Sequence, residues 1–154
     1  MKLVAIQMDP IETINVVADS TFVLALEAQA RGHRLYHYLP RHLSLIDGRV
    51  FAKARRLKVR RANKRFATLG PFETLDLSKM DVILMRQDPP FDMAYITATH
   101  VLEHVSGKVL IVNDPAAVRN APEKLFATHF SGLMPPTLVS SDRDAILASR
   151  RRHR

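Results

Sequence analysis

The chain contains no cysteine and no tryptophan. The first absence excludes disulfides, thiolate metal sites and a cysteine nucleophile, and it is the usual pattern of an intracellular protein. Glycine is scarce as well, and Gly32, Gly48, Gly70, Gly107 and Gly132 stand far apart. Phosphate-cradling loops need clustered glycines so that backbone N–H groups can approach the anion, so neither a P-loop nor a dinucleotide fingerprint can be built here. No apolar run reaches the roughly 20 residues that cross a bilayer. The opening run, Met1 to Asp9, is too short for a secretory signal. A soluble, cytoplasmic protein with no membrane partner is expected.

Acids are missing from one region: none stands between Arg49 and Phe72. That gap holds Lys53, Arg55, Arg56, Lys58, Arg60, Arg61, Lys64 and Arg65, which equal the whole net charge of +8. Four further arginines, Arg150, Arg151, Arg152 and Arg154, lie in the tail, so the remaining body is slightly acidic. The charge is therefore local, which argues against a general nucleic-acid surface. Three readings of the basic stretch remain: phosphate contacts to nucleic acid, attraction of an anionic substrate, or a flexible solvated loop. Only Phe66 is close by for base stacking, and no nucleic-acid module is recognisable, so nucleic acid is disfavoured as a partner.

What is present reads as one α/β domain of ordinary size and 47% hydrophobic content. Lys2 to Met8 is an apolar strand ended by Asp9-Pro10. Asp19 or Ser20 can cap a helix carrying Phe22, Val23, Leu26 and Ala30 at helical spacing, with Gly32 as its C′ residue. His33 to Leu39 reads as a second strand, which makes a βαβ unit and a parallel sheet. Asp47-Gly48 between two short apolar runs predicts a hairpin. Gly70-Pro71 reads as a break. Val82 to Met85 is a central buried strand, and Asp92 caps a helix whose face is Tyr95, Ile96, Thr99, Leu102 and Val105, closed by Gly107. Lys108 to Val112 is another strand. A helix is expected over Pro122 to Phe130 with proline at its first position, and a last one over Asp142 to Arg152.

Two loops carry the candidate chemistry. One follows the first strand and holds Asp9, Asn15, Asp19 and Ser20. The other follows the central strand and reads Met85-Arg86-Gln87-Asp88-Pro89-Pro90-Phe91-Asp92. In a parallel sheet both open on the carboxyl edge, where ligands bind. Arg86 offers a planar fork for a carboxylate or phosphate. Asp88, Asp9 and Asn15 could take an ammonium or amide. The plainer account is that Arg86 pairs with Asp88 while Asp19 and Asp92 only cap helices. His100-Val101-Leu102-Glu103-His104 formally matches an inverted zinc-peptidase signature. A solvated helix face is the favoured explanation and the match a coincidence, with no third ligand evident. No paired acidic cluster suited to Mg²⁺ stands among the strands.

These residues resemble the bacterial glutathione synthetase family. The likeness runs through Met8-Asp9-Pro10-Ile11, Ile14-Asn15, Asp19-Ser20 and Leu24 to Arg31. It continues in Asp81 to Asp92, Leu110-Ile111-Val112-Asn113 and Glu123-Lys124-Leu125-Phe126. The resemblance implies a Rossmann-like (pre-ATP-grasp) α/β domain over residues 1–120, its parallel sheet flanked by helices and carrying a hairpin insertion. Residues 121–154 would be the start of an ATP-grasp portion. It implies an ATP-dependent ligase that uses Mg²⁺ and ATP to phosphorylate γ-glutamylcysteine, the acyl phosphate then being attacked by glycine. Asp9, Asn15, Asp19, Ser20, Arg86 and Asp88 would be substrate-binding, and Lys124 would contact nucleotide phosphates. The family's glycine-rich lid, second ATP-binding lysine and Mg²⁺-binding Glu and Asn find no match in these 154 residues. The expectation is a truncated chain, inactive alone, that self-associates or joins the absent portion. A non-catalytic module whose basic loop binds anions or nucleic acid is the alternative.

Overall fold

The computed structural model describes residues 1–62 and 64–153. Arg154 of the basic tail lies outside them. Two compact units are present, Met1–Arg119 and Asn120–Arg154. Among the described residues no helix is long and apolar enough to cross a membrane.

The first unit is built on a seven-stranded mixed sheet. Its centre is β1 (Leu3–Gln7), whose burial on both faces follows from an almost unbroken apolar run. It pairs in parallel with β2 (Arg34–Tyr38) and with β6 (Val82–Met85), and β6 pairs in parallel with β7 (Leu110–Val112). Helix α1 (Ser20–Ala30) makes the first crossover. Asp19 caps it by accepting the Phe22 N–H at 2.6 Å. At its other end the Gly32 N–H donates to the Gln29 carbonyl and the His33 N–H to the Ala28 carbonyl. That Schellman closure needs a left-handed residue, and Gly32 supplies it with φ of 77°. Helix α2 (Met93–Ser106), capped by Asp92, covers the opposite face through Leu102 and Val105.

The hairpin expected at Asp47-Gly48 joins β3 (Leu43–Ile46) to β4 (Arg49–Val59), with positive φ at both turn residues as a two-residue turn requires. The basic stretch departs from the flexible-loop reading. Residues 53–59 lie within β4, whose Leu57 and Val59 are buried under α1. Gly70-Pro71 is likewise no break, because both residues sit inside β5 (Ala67–Asp76). Between the Arg55–Phe72 and Leu57–Leu69 pairs β5 advances three residues against two in β4. The extra residue is a bulge, a place where proline's missing donor costs the ladder nothing. A Cβ on Gly70 would approach the Arg56 Cβ to 3.2 Å. The expected hairpin is thus joined to the parallel sheet, which it extends into an antiparallel flank, β3 to β5.

A short helix unmarked in the sequence reading, α3 (Pro115–Asn120), follows β7. Its start is fixed by Asp114, which accepts the Ala117 N–H at 2.7 Å. Arg119 at its end donates to Thr99 Oγ1 at 3.0 Å and to Glu103 at 2.5 Å. The second unit holds α4 (Glu123–Phe126) and α5 (Arg143–Arg152), the latter the expected last helix, with Asp142 as its cap. Pro122 is the N-cap of α4 rather than its first helical residue. The α-helix ends at Phe126 and continues only as 3-10 turns to Leu133.

Candidate functional site

Because β1 and β6 are parallel neighbours, the loops leaving Gln7 and Met85 emerge together at the carboxyl edge. Three bonds join them. The Arg86 N–H donates to the Gln7 carbonyl at 2.7 Å. The Asp88 N–H donates to Asp9 Oδ2 at 2.8 Å. On the α2 side of the sheet, the fully buried Gln7 amide donates to the Gln87 side-chain carbonyl, while Gln7 Oε1 has no donor of its own. The Asp9 carbonyl is held in turn by His37 Nε2 at 3.1 Å. Burial pushes the His37 imidazole below its ordinary value, with the carbonyl bond acting in the opposite sense. His37 is therefore a neutral donor that ties the loop to β2.

Arg86 points to the other side, toward α1. Its Nε donates to Thr21 Oγ1 at 3.1 Å and its Nη2 to Ser20 Oγ at 2.7 Å. The division of labour at the start of α1 is now clear. Asp19 caps the helix, which leaves the Ser20 and Thr21 hydroxyls to hold the guanidinium. Among the described residues Arg86 pairs with no carboxylate, and Asp88 engages the site through its backbone. Two of the five guanidinium protons are used by neutral hydroxyls, so three remain, and the positive charge is uncompensated. An arginine fixed in this way is preorganised for a carboxylate or phosphate. Tyr95, in the first turn of α2 on the opposite side of the sheet, feels the charges of both Arg86 and Asp88. Burial raises its phenol, Asp88 adds to the rise and Arg86 opposes it. Its ring lies 5.0 Å from that of Phe91.

The expected residues are not all gathered there. Arg86 bonds Ser20 and Asp88 bonds Asp9, two pairs gathered at the same sheet edge. Asn15 is exposed, accepts the Val17 N–H at 3.1 Å and shapes its own turn. Asp19 is occupied as a cap. Lys124 belongs to the second unit, is 81% exposed and pairs with the adjacent Glu123. Thr21, Gln7, Gln87 and Tyr95 were missed. Gln7 alone carried a signal, as a polar residue closing an otherwise apolar strand. Beside Asp9 a cleft of about 560 Å³ runs between Pro10, Leu39, Arg41, Met93 and Thr97.

The zinc-like face is engaged elsewhere. Glu103 accepts from Arg119, its carboxyl held below the usual range chiefly by that bond, and His100 lies 3.4 Å away. Among the described residues no three His, Asp or Glu side chains converge as a metal site.

A profile of the prokaryotic glutathione synthetase N-terminal domain matches residues 1–119. The glutathione synthetase of Bradyrhizobium diazoefficiens is 56% identical over 154 residues, which cover 99% of this chain and 49% of that protein. That of Mesorhizobium japonicum is 53% identical over 152 residues, covering 98% and 49%. That of Escherichia coli O127:H6 is 42% identical over 149 residues, covering 96% and 47%. The chain spans about half the length of these curated relatives. With its first 119 residues matched, it belongs to the prokaryotic glutathione synthetase N-terminal domain family.

Proposed function

We propose that the first unit is the substrate-side domain of a glutathione synthetase and holds γ-glutamylcysteine through the Arg86 loop. The observation that carries this reading is the state of Arg86. It is anchored by two hydroxyls, unpaired with any described carboxylate, and open at the carboxyl edge. Its remaining N–H groups suit a substrate carboxylate, while the carboxylates of Asp9 and Asp88 on the adjoining loops suit an ammonium. Asn15 and Asp19 act by shaping the loop in which Ser20 sits. Lys124 is proposed as a nucleotide-phosphate contact within the second unit, and residues 121–154 as the start of the ATP-binding portion.

ATP, Mg²⁺ and glycine are the further reactants this family reading brings, in the cytoplasm. Phosphoryl transfer depends on preorganised charge around the moving phosphoryl group. The proposed role of these residues is to hold the dipeptide, with ligation depending on what the longer relatives contain. Calorimetric titration with γ-glutamylcysteine tests the reading. Saturable binding that weakens about tenfold to a hundredfold in Arg86→Ala is expected, from the loss of charge-assisted hydrogen bonds worth about 1.5–3 kcal/mol. Absence of binding by a chain shown to be folded would refute it.

A further inference from the structure

We infer that the basic hairpin formed by β4 and β5 is the anion-collecting flank of this site and speeds the arrival of its negatively charged substrate. The inference rests on the dipeptide reading above. Position is the first argument. Arg55 lines a small cavity of about 80 Å³ with Pro10, Glu12 and His37, directly after β1. At the far end of the hairpin Arg61 and Ala62 share a groove of about 390 Å³ with Val16, Val17 and Phe22. The Phe66 ring meets that of Phe22 edge-on at 5.6 Å. The hairpin therefore borders the segment 10–22 at both ends, and that segment presents Ser20 and Thr21 to Arg86.

Charge is the second argument. Among the described residues, no cation between Lys53 and Arg65 forms an ion pair. Those that are held are held by neutral carbonyls: Arg55 Nε donates to the Gly70 carbonyl at 2.7 Å and Arg60 Nε to that of Arg65 at 2.8 Å. Such bonds fix the cations in place without cancelling them, so the flank sets a net positive charge beside the loop after β1, where Glu12 is the acid that shares the Arg55 cavity. γ-Glutamylcysteine carries two carboxylates and one ammonium, so its net charge is negative. A field of this kind raises encounter rates by about tenfold or more for an oppositely charged ligand. Nucleic acid fits the same surface less well. The exposed Phe72 ring has the Lys53 ammonium at 4.6 Å and the Arg55 guanidinium at 5.1 Å from its centroid, which leaves it poorly placed to stack on a base.

The test uses the whole chain and R61Q/K64Q/R65Q, in which three exposed cations become neutral and the backbone acceptor for Arg60 is kept. γ-Glutamylcysteine binding is measured at about 20 mM and about 300 mM salt, between which the screening length falls from roughly 20 Å to roughly 6 Å. The chain's affinity should fall about tenfold across that range. The variant should start several-fold weaker at low salt and lose most of the dependence. Equal salt dependence in chain and variant overturns the flank while leaving the Arg86 site intact. No dipeptide binding at any salt removes both. A short oligothymidylate that binds more tightly than the dipeptide, and loses affinity in the variant, would reassign the hairpin to nucleic acid and overturn the inference.

Discussion

Arg86 and Lys124 are both cations expected from the sequence to meet substrate groups, yet their surroundings differ. Arg86 is half-buried just past the end of β6, with its guanidinium held by Ser20 and Thr21. Lys124 stands on a four-residue helix, 81% exposed, its ammonium paired with Glu123. An exposed pair of this kind contributes little, because water competes for both charges. The difference shows what a preorganised binding group requires: a rigid strand end, neutral partners that fix its orientation, and no acid to quench it. Arg86 meets all three conditions within one unit. Lys124 meets none of them within its own.

The largest expected effect falls on the fork itself. Arg86→Lys keeps the charge but loses the planar donors, so γ-glutamylcysteine binding should stay at least tenfold weakened in calorimetry. Recovery to the parental affinity would show that charge alone matters and would erase the distinction from Lys124. Next comes the frame. Asp19→Ala removes the cap of α1 and should lower stability by about 1 kcal/mol in urea unfolding. Dipeptide affinity should fall with it, because Ser20 and Thr21 lose their placement.

A smaller effect concerns pH. The His37 imidazole is depressed below its ordinary 6.5 by burial. In the window just below pH 6.5 the unfolded chain therefore binds more protons than the folded one, and stability falls as pH falls. His37→Gln should flatten that slope in part, since His42 is depressed in the same sense and remains. An unchanged slope would mean His37 is not the buried neutral donor described. The smallest effect belongs to Lys124→Ala, which should alter stability by no more than about 0.5 kcal/mol.

Local chemistry explains what the sequence disclosed. Asp19, Asp92 and Asp142 each precede a helical pattern, and each one caps, because an N-terminal N–H needs an acceptor. Gly32 and Asp47-Gly48 supply the positive φ that their turns require. The Arg86 loop stood out because charge follows an apolar run abruptly. Pairing partners were not legible. Gly70-Pro71 signals a turn in isolation, and only the register against β4 turns it into a bulge. The basic stretch looked solvated because its charges outnumber Leu57 and Val59, whose burial depends on α1 lying above them. Arg86 and Thr21 are 65 residues apart, and no spacing rule joins them. The amide pair of Gln7 and Gln87 is equally invisible without the parallel alignment of β1 and β6.

The central proposal is that the two loops at the carboxyl edge of the first unit form one anion site around Arg86. Titrating isotope-labelled chain with γ-glutamylcysteine and following its backbone amide resonances tests this most directly. The expected result is saturable shifts at residues 9, 20, 21 and 86–88, with residues 123–126 unmoved, and loss of those shifts in Arg86→Ala. Shifts confined to residues 123–126, or an undiminished response in Arg86→Ala, would contradict it.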